Sequence, residues 1–72
     1  MKIGPRIKAI REAKKAKYGN KYTAAACAER SGVGKSRWFD IEADRCSPTL
    51  QVLERVADAL GTSVAVLVRV GK

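Results

Sequence analysis

The chain has 72 residues, with fifteen lysines and arginines against seven acidic residues and no histidine. This length has room for one small domain, residues 1–72. The lack of histidine excludes Ser-His-Asp catalysis and histidine-based zinc sites, and Cys27 and Cys46 alone cannot hold a structural metal. We therefore expect no enzyme, no metal and no cofactor. The unpaired cysteine pattern favours a cytoplasmic location, and the longest apolar run is too short for a membrane span.

The net charge of +8 lies almost entirely in the first half of the chain. Residues 1–37 carry eleven basic and two acidic side chains, whereas residues 38–72 carry four basic and five acidic ones. A lesser excess would indicate only a solvated surface. This concentration of charge favours a polyanionic partner.

Two helices are predicted in the first half of the chain. Gly4-Pro5 begins the first helix, which has an apolar stripe at Ile7, Ile10 and Ala13. Tyr18-Gly19-Asn20 ends it, since glycine and asparagine tolerate left-handed backbone. Thr23 is a suitable N-cap for a second helix over residues 24–31.

Two further helices and one ambiguous segment follow. A helix over residues 35–43 would turn Trp38 and Ile41 inward. A fourth helix begins at Pro48-Thr49 and ends at Gly61, and its apolar stripe comprises Leu50, Leu53, Val56, Ala57 and Leu60. Residues 64–70 contain four valines, which favour a strand, whereas the preceding helices favour a helix. The pattern predicts an all-α, compact bundle of about five short helices.

The centre of the chain has the residues that a helix-turn-helix requires. Ala28 is small enough for a second helix to cross closely, and Gly32 can adopt the positive φ of the turn. Val33, Trp38 and Ile41 supply apolar anchors for the second helix of the motif. The outer face of this second helix is polar and can enter a major groove of DNA.

These residues resemble the Cro and lambda-repressor type of helix-turn-helix domain, also called Xre-like. The resemblance runs from Ile3 to about Leu67. It rests on Ala28-Glu29-Arg30-Ser31-Gly32-Val33, on Ile41-Glu42, and on Pro48-Thr49-Leu50 with the apolar spacing that continues to Leu60-Gly61. It implies a five-helix domain that binds duplex DNA, usually as a two-fold dimer, and controls transcription.

The chain departs from that family at several positions. Extra residues within 14–22, here named the basic extension, lengthen the link between the first two helices and carry four lysines. Ala24 stands where the family usually has a glutamine that binds a phosphate. In the third helix, bulky Trp38 replaces a β-branched residue, Phe39 replaces a polar or small one, and Asp40 stands where a base-reading amide often lies.

The third helix carries the residues expected to read DNA. The resemblance implies that Lys35, Ser36 and Arg37 meet base edges and phosphates; the alternative is an exposed polar face. Phe39 is expected either to contact a thymine methyl or to pack on the lengthened link. Asp40 is expected to accept from a cytosine, to weaken non-specific binding, or to pair with Arg37.

Other residues are expected to contact phosphates or to support the fold. Thr23 and Arg45 flank the motif and are predicted DNA-binding residues. The lysines of the basic extension are either phosphate contacts or a solvated run, and they are Lys14, Lys15, Lys17 and Lys21. Trp38 and Cys27 are predicted core residues, and Glu42 is predicted to bind Arg6 or Arg11.

The favoured function is sequence-specific binding of double-stranded DNA by a small repressor that places helix 35–43 in the major groove. One alternative is a protein-interaction or antitoxin-like module that keeps the fold with little base readout. Another is non-specific packaging of nucleic acid, which the net charge alone would allow. The apolar residues of 64–70 predict a weak homodimer, formed mainly on DNA, through residues near Val66 to Val70.

Overall fold

Residues 3–68 are described by a computed structural model, and they form five α-helices joined by short turns. The helices are α1 (Gly4–Tyr18), α2 (Ala24–Ser31), α3 (Lys35–Glu42), α4 (Leu50–Leu60) and α5 (Val64–Val68). A 3-10 turn, Asn20–Tyr22, lies between α1 and α2. No strand occurs within this range. The predicted all-α fold class is confirmed.

Helix boundaries follow from local side chains. The hydroxyl of Thr23 accepts from the amide of Ala26 at 3.1 Å, and the hydroxyl of Thr49 accepts from the amide of Val52 at 3.2 Å. Both threonines therefore satisfy amides that a helix N-terminus leaves unpaired. Gly32 ends α2 with a φ of 76°, in the left-handed region that glycine adopts without strain.

The core is built from all five helices. α2 packs on α3 and α4, α1 packs on α3, and α5 packs on α4. The fully buried large side chains are Ile7, Cys27, Trp38, Ile41, Val56, Leu60 and Leu67. The prediction that Trp38 and Cys27 are core residues is confirmed. Burial raises the pKa of the Cys27 thiol above its usual value, although Arg30 and Arg11 nearby oppose the shift.

Two members of the predicted apolar stripes are wrong. Ala13 is exposed, and the charged side chain of Arg11 is buried in α1 beside Ile7. Arg11 can be buried because Glu42 of α3 supplies a carboxylate there. Leu50 is 64% exposed because it is the first residue of α4, ahead of the part of the helix that packs on the core.

The valine-rich segment is helical where the structure describes it. Leu67 is fully buried, Val64 and Val68 pack partly against the core, and Val66 is exposed. Packing on α4 thus outweighs the local preference of valine for strands. The expectation for Val70 lies outside the described residues. No helix in residues 3–68 is long and apolar enough to cross a membrane.

Candidate nucleic-acid interface

The second and third helices form the predicted helix-turn-helix. Ala28 is 1% exposed, as the close approach of α2 to its neighbours requires. Gly32 and Gly34 both have positive φ, and the side chain of Val33 between them packs on the core. These residues reverse the chain over three positions and set α3 against α2 and α1.

α3 has a buried face and an exposed face. Trp38, Ile41 and Glu42 point into the protein. Four other side chains of α3 are exposed, and they are Lys35, Ser36, Arg37 and Phe39. Most of the residues that the sequence predicted to read DNA are therefore accessible from solvent.

A buried carboxylate fastens α3 to α1. Oε2 of Glu42 accepts from Nε of Arg11 at 2.6 Å and from Nε1 of Trp38 at 2.6 Å. Oε1 accepts from Nη2 of Arg11 at 3.2 Å. The hydrogen bonds with Glu42 raise the pKa of Arg11, so this guanidinium keeps its positive charge. The prediction that Glu42 binds Arg11 is confirmed, whereas Arg6 instead donates to the carbonyl of Val66 at 2.7 Å.

The N-terminus of α1 rests on the C-terminal end of α3. The amide of Gly4 donates to Oδ1 of Asp44 at 3.0 Å. A Cβ on Gly4 would lie 2.5 Å from the carbonyl oxygen of Glu42 and would also collide with that of Ile41. Only glycine therefore allows this approach. Asp44 has a φ of 59°, a left-handed conformation that aspartate tolerates better than most residues.

Comparison with known proteins agrees with this geometry. The model of a family described as "Helix-turn-helix domain" matches residues 2–70. The chain belongs to this helix-turn-helix family. It is also 43% identical over 68 residues to a protein of Bacillus phage phi105 named "Immunity repressor protein". The match covers 94% of this chain but only 43% of that relative, so the chain spans less than half of the relative's length. No solved structure matches significantly.

The structure excludes one alternative for Asp40 and shows which residues lie beside Phe39. Asp40 does not pair with Arg37; its Oδ1 instead accepts from Nη1 of Arg45 at 3.4 Å. The partner is further along the chain because Arg45 follows the turn that ends α3 and folds back toward it. Phe39 is 48% exposed and lies beside Lys8 and Glu12 of α1, in a surface groove that Glu42 also lines.

The lysines of the basic extension are not equivalent. Lys15, Lys17 and Lys21 are exposed. Lys14 is half-buried, with Nζ 5.9 Å from the ring centroid of Tyr22 and close to Gly61 at the C-terminal end of α4. Lys14 is thus less accessible than the other three lysines of the run.

Sequence patterns did not predict the group of side chains that packs beside the basic extension. The guanidinium of Arg30 lies 5.1 Å from the ring centroid of Tyr22, and its Nη2 donates to the carbonyl of Ala59 at 2.9 Å. The rings of Tyr18 and Tyr22 lie 5.8 Å apart. Two tyrosines within a lysine run were the only available signal. Within residues 3–68 no group of three metal-ligating side chains occurs.

Proposed function

We propose that residues 1–72 form a DNA-binding domain that recognises a specific duplex sequence and represses transcription. The observation that carries the proposal is the exposed face of α3, whose opposite face is fixed by the hydrogen bonds of Glu42. A recognition helix must be held rigidly if its side chains are to discriminate between bases. The similarity to a phage protein named as an immunity repressor supports the same conclusion.

Base readout is assigned to the exposed face of α3. Lys35 and Arg37 can donate to O6 and N7 of guanine, and Ser36 can bond to several base edges. Phe39 is exposed enough to contact a thymine methyl. The ion pair with Arg45 occupies the carboxylate of Asp40, so Asp40 is assigned to weakening non-specific contacts and not to base readout.

Phosphate contacts are assigned to residues that flank α3. The side chain of Arg45 is 72% exposed, so it can bind a phosphate while remaining near Asp40. Thr23 uses its hydroxyl to cap α2, and it lies where the unpaired amides of that helix begin. The proposed activity needs no catalytic group, metal or cofactor, and it places the protein with DNA in the cytoplasm.

We also propose a weak homodimer that forms mainly on DNA through α5. Val66 is 38% exposed, whereas Leu67 is buried and Val64 and Val68 pack partly against the core. Two copies joined there would offer two recognition helices, which must lie roughly 34 Å apart to enter successive major grooves. Because both copies would then hold one complex on the DNA, each copy needs only a low affinity for its own half-site.

Selection of bound duplexes from a random pool tests the proposal. The expected result is enrichment of one sequence with two related halves. A double variant with Lys35→Ala and Ser36→Ala, taken through the same selection, should lose that enrichment and still fold. Equal binding of all duplexes with a steep salt dependence would indicate packaging. Absence of binding at moderate salt would indicate the protein-interaction module.

A further inference from the structure

The first turn of α1 is bonded both to the end of α3 and to α5. The amide of Gly4 donates to Oδ1 of Asp44, in the turn that follows α3, at 3.0 Å. One turn further along α1, Nε of Arg6 donates to the carbonyl of Val66 in α5 at 2.7 Å. A short stretch of one helix therefore contacts both the recognition helix and the proposed dimer surface.

The same three elements meet in a surface groove. Ile3, the residue before α1, lines this groove together with Asp44 and with Val68, the last residue of α5. Elsewhere α3 packs on α1 and α2, whereas α5 packs on α4. The first turn of α1 thus provides a short connection between the recognition helix and α5.

The connection on the side of α3 is rigid. The amide of Arg45 donates to the carbonyl of Asp40 at 2.8 Å, and the amide of Asp44 donates to that of Ile41 at 3.1 Å. This pair of bonds is the Schellman motif that closes a helix C-terminus. Gly4 lies directly against the closed end, since a Cβ at its position would collide with the carbonyl oxygen of Ile41. These contacts fix α3 relative to α1.

The connection on the side of α5 depends on fewer contacts. α5 has five residues, fewer than an isolated helix needs to be stable. Leu67 anchors it in the core, and the carbonyl of Val66 is among those that the helix Val64–Val68 leaves unpaired at its end. The guanidinium of Arg6 satisfies this carbonyl, and a positive charge is favourable at a helix C-terminus. Arg6 therefore limits rotation of α5 about its buried anchor.

We propose that Arg6 is a positioning residue that fixes the angle of α5 and thereby determines which separation of two DNA half-sites the protein accepts. The inference rests on the proposed function and on the proposed dimer, because α5 would join the two copies. In a two-fold dimer, any rotation of α5 occurs in both copies and displaces both recognition helices. One added base pair moves a half-site by roughly 3.4 Å and turns it by roughly 34°. A fixed α5 therefore accepts a narrow range of separations, and a loose α5 accepts a wider one.

The experiment measures binding to duplexes that carry the two selected half-sites at different separations, and to a duplex with one half-site. Wild type should bind the selected separation about tenfold more tightly than one changed by two base pairs, because avidity is lost when both copies cannot engage. Arg6→Ala should bind these separations within about twofold of one another. Circular dichroism and affinity for the single half-site measure whether its fold and its recognition helix are intact.

Two variants control for charge and for the hydrogen bond. Arg55→Ala removes the same side chain from an exposed position on α4 near Gly32, and it should keep the preference for one separation. Arg6→Lys retains a donor for the carbonyl of Val66 and should keep most of that preference. Arg6→Ala should lose no more affinity for the single half-site than Arg55→Ala does, since each variant removes one positive charge.

The possible outcomes separate this inference from the proposed function. If Arg6→Ala still prefers one separation, or if Arg55→Ala loses the preference as well, Arg6 does not set the separation. Unfolding of Arg6→Ala, or a greater loss on the single half-site than in Arg55→Ala, would show that Arg6 supports the whole fold and would overturn the inference. Wild type that binds two half-sites without cooperativity contradicts the dimer. Wild type that prefers no sequence contradicts the proposed function itself.

Discussion

The guanidinium of Arg11 and the carboxylate of Glu42 form two hydrogen bonds inside the core, 2.6 and 3.2 Å long and 31 positions apart in sequence. Both side chains are more than nine-tenths buried. Breaking a buried pair is strongly destabilising because the remaining charge loses its partner. Here Trp38 would lose its hydrogen-bond acceptor as well.

Glu42→Ala should therefore lower the free energy of unfolding by about 3–5 kcal/mol. Urea denaturation at neutral pH measures the loss. Glu12→Ala is the matched control, because its carboxylate is 4.0 Å from the same guanidinium but 58% exposed. That control should change stability by less than about 1 kcal/mol. Similar losses of stability in both variants would show that the buried pair of Glu42 and Arg11 stabilises the fold no more than an exposed one.

Gly4→Ala tests the contact between α1 and α3. The added methyl would collide with the carbonyl oxygens of Ile41 and Glu42, so unfolding should become easier by about 1–3 kcal/mol. Asp44→Asn is the control, since an amide oxygen can still accept from Gly4 and asparagine tolerates the left-handed backbone. Thermal unfolding of both variants measures the difference. A fully stable Gly4→Ala protein would contradict the described contact.

Single substitutions on α3 should relax specificity at individual base pairs. Lys35→Ala and Ser36→Ala should each cost about 1–3 kcal/mol at one base pair if the contact is a good hydrogen bond. Competition between the selected duplex and single-base variants measures this loss. Equal weakening on selected and random duplexes would show that the side chain touches only the backbone.

Val66→Asp should abolish cooperative binding without unfolding the domain. The side chain is exposed on α5, so a carboxylate there stays solvated in the monomer and becomes buried only at an interface. Sedimentation with and without a duplex of two half-sites measures assembly. Adding Val70→Asp extends the test along the tail. Cooperative binding by the double variant would exclude this surface as the interface.

The two cysteines should differ in reactivity and in their effect on stability. Cys46 is exposed and Cys27 is buried, so a thiol reagent should label one site quickly and the other only as the protein unfolds. Because burial raises the pKa of Cys27, the folded protein keeps this proton longer than the unfolded chain does. The protonated Cys27 thiol therefore contributes to the free energy of unfolding below about pH 8.5, and this contribution is lost at higher pH.

Urea titrations between neutral and alkaline pH test that direction. Wild type and Cys46→Ala should lose stability together as the pH rises above about 8.5. Cys27→Ala should show a smaller decline, although its stability at neutral pH is lower. Identical alkaline slopes in all three proteins would assign the pH dependence to other groups.

The sequence alone determined the helical architecture and the position of the motif. Thr23, Thr49 and Gly32 act on amides and carbonyls within a few residues, so their effect can be read from neighbouring positions. The apolar spacing of α4 and the small Ala28 are equally local features. For the same reason, the exposed face of α3 was predictable once the inward positions of Trp38 and Ile41 were known.

Only the tertiary structure decided which charged groups are buried, paired or free. Arg11 and Glu42 meet across 31 positions, and Asp40 has its contact with Arg45 because the turn after α3 folds back. Lys14 and Lys15 are adjacent in sequence but point to different surfaces, because successive helical residues differ by about 100° around the axis. Helix Val64–Val68 likewise depends on packing against α4, which outweighs the preference of its valines for a strand.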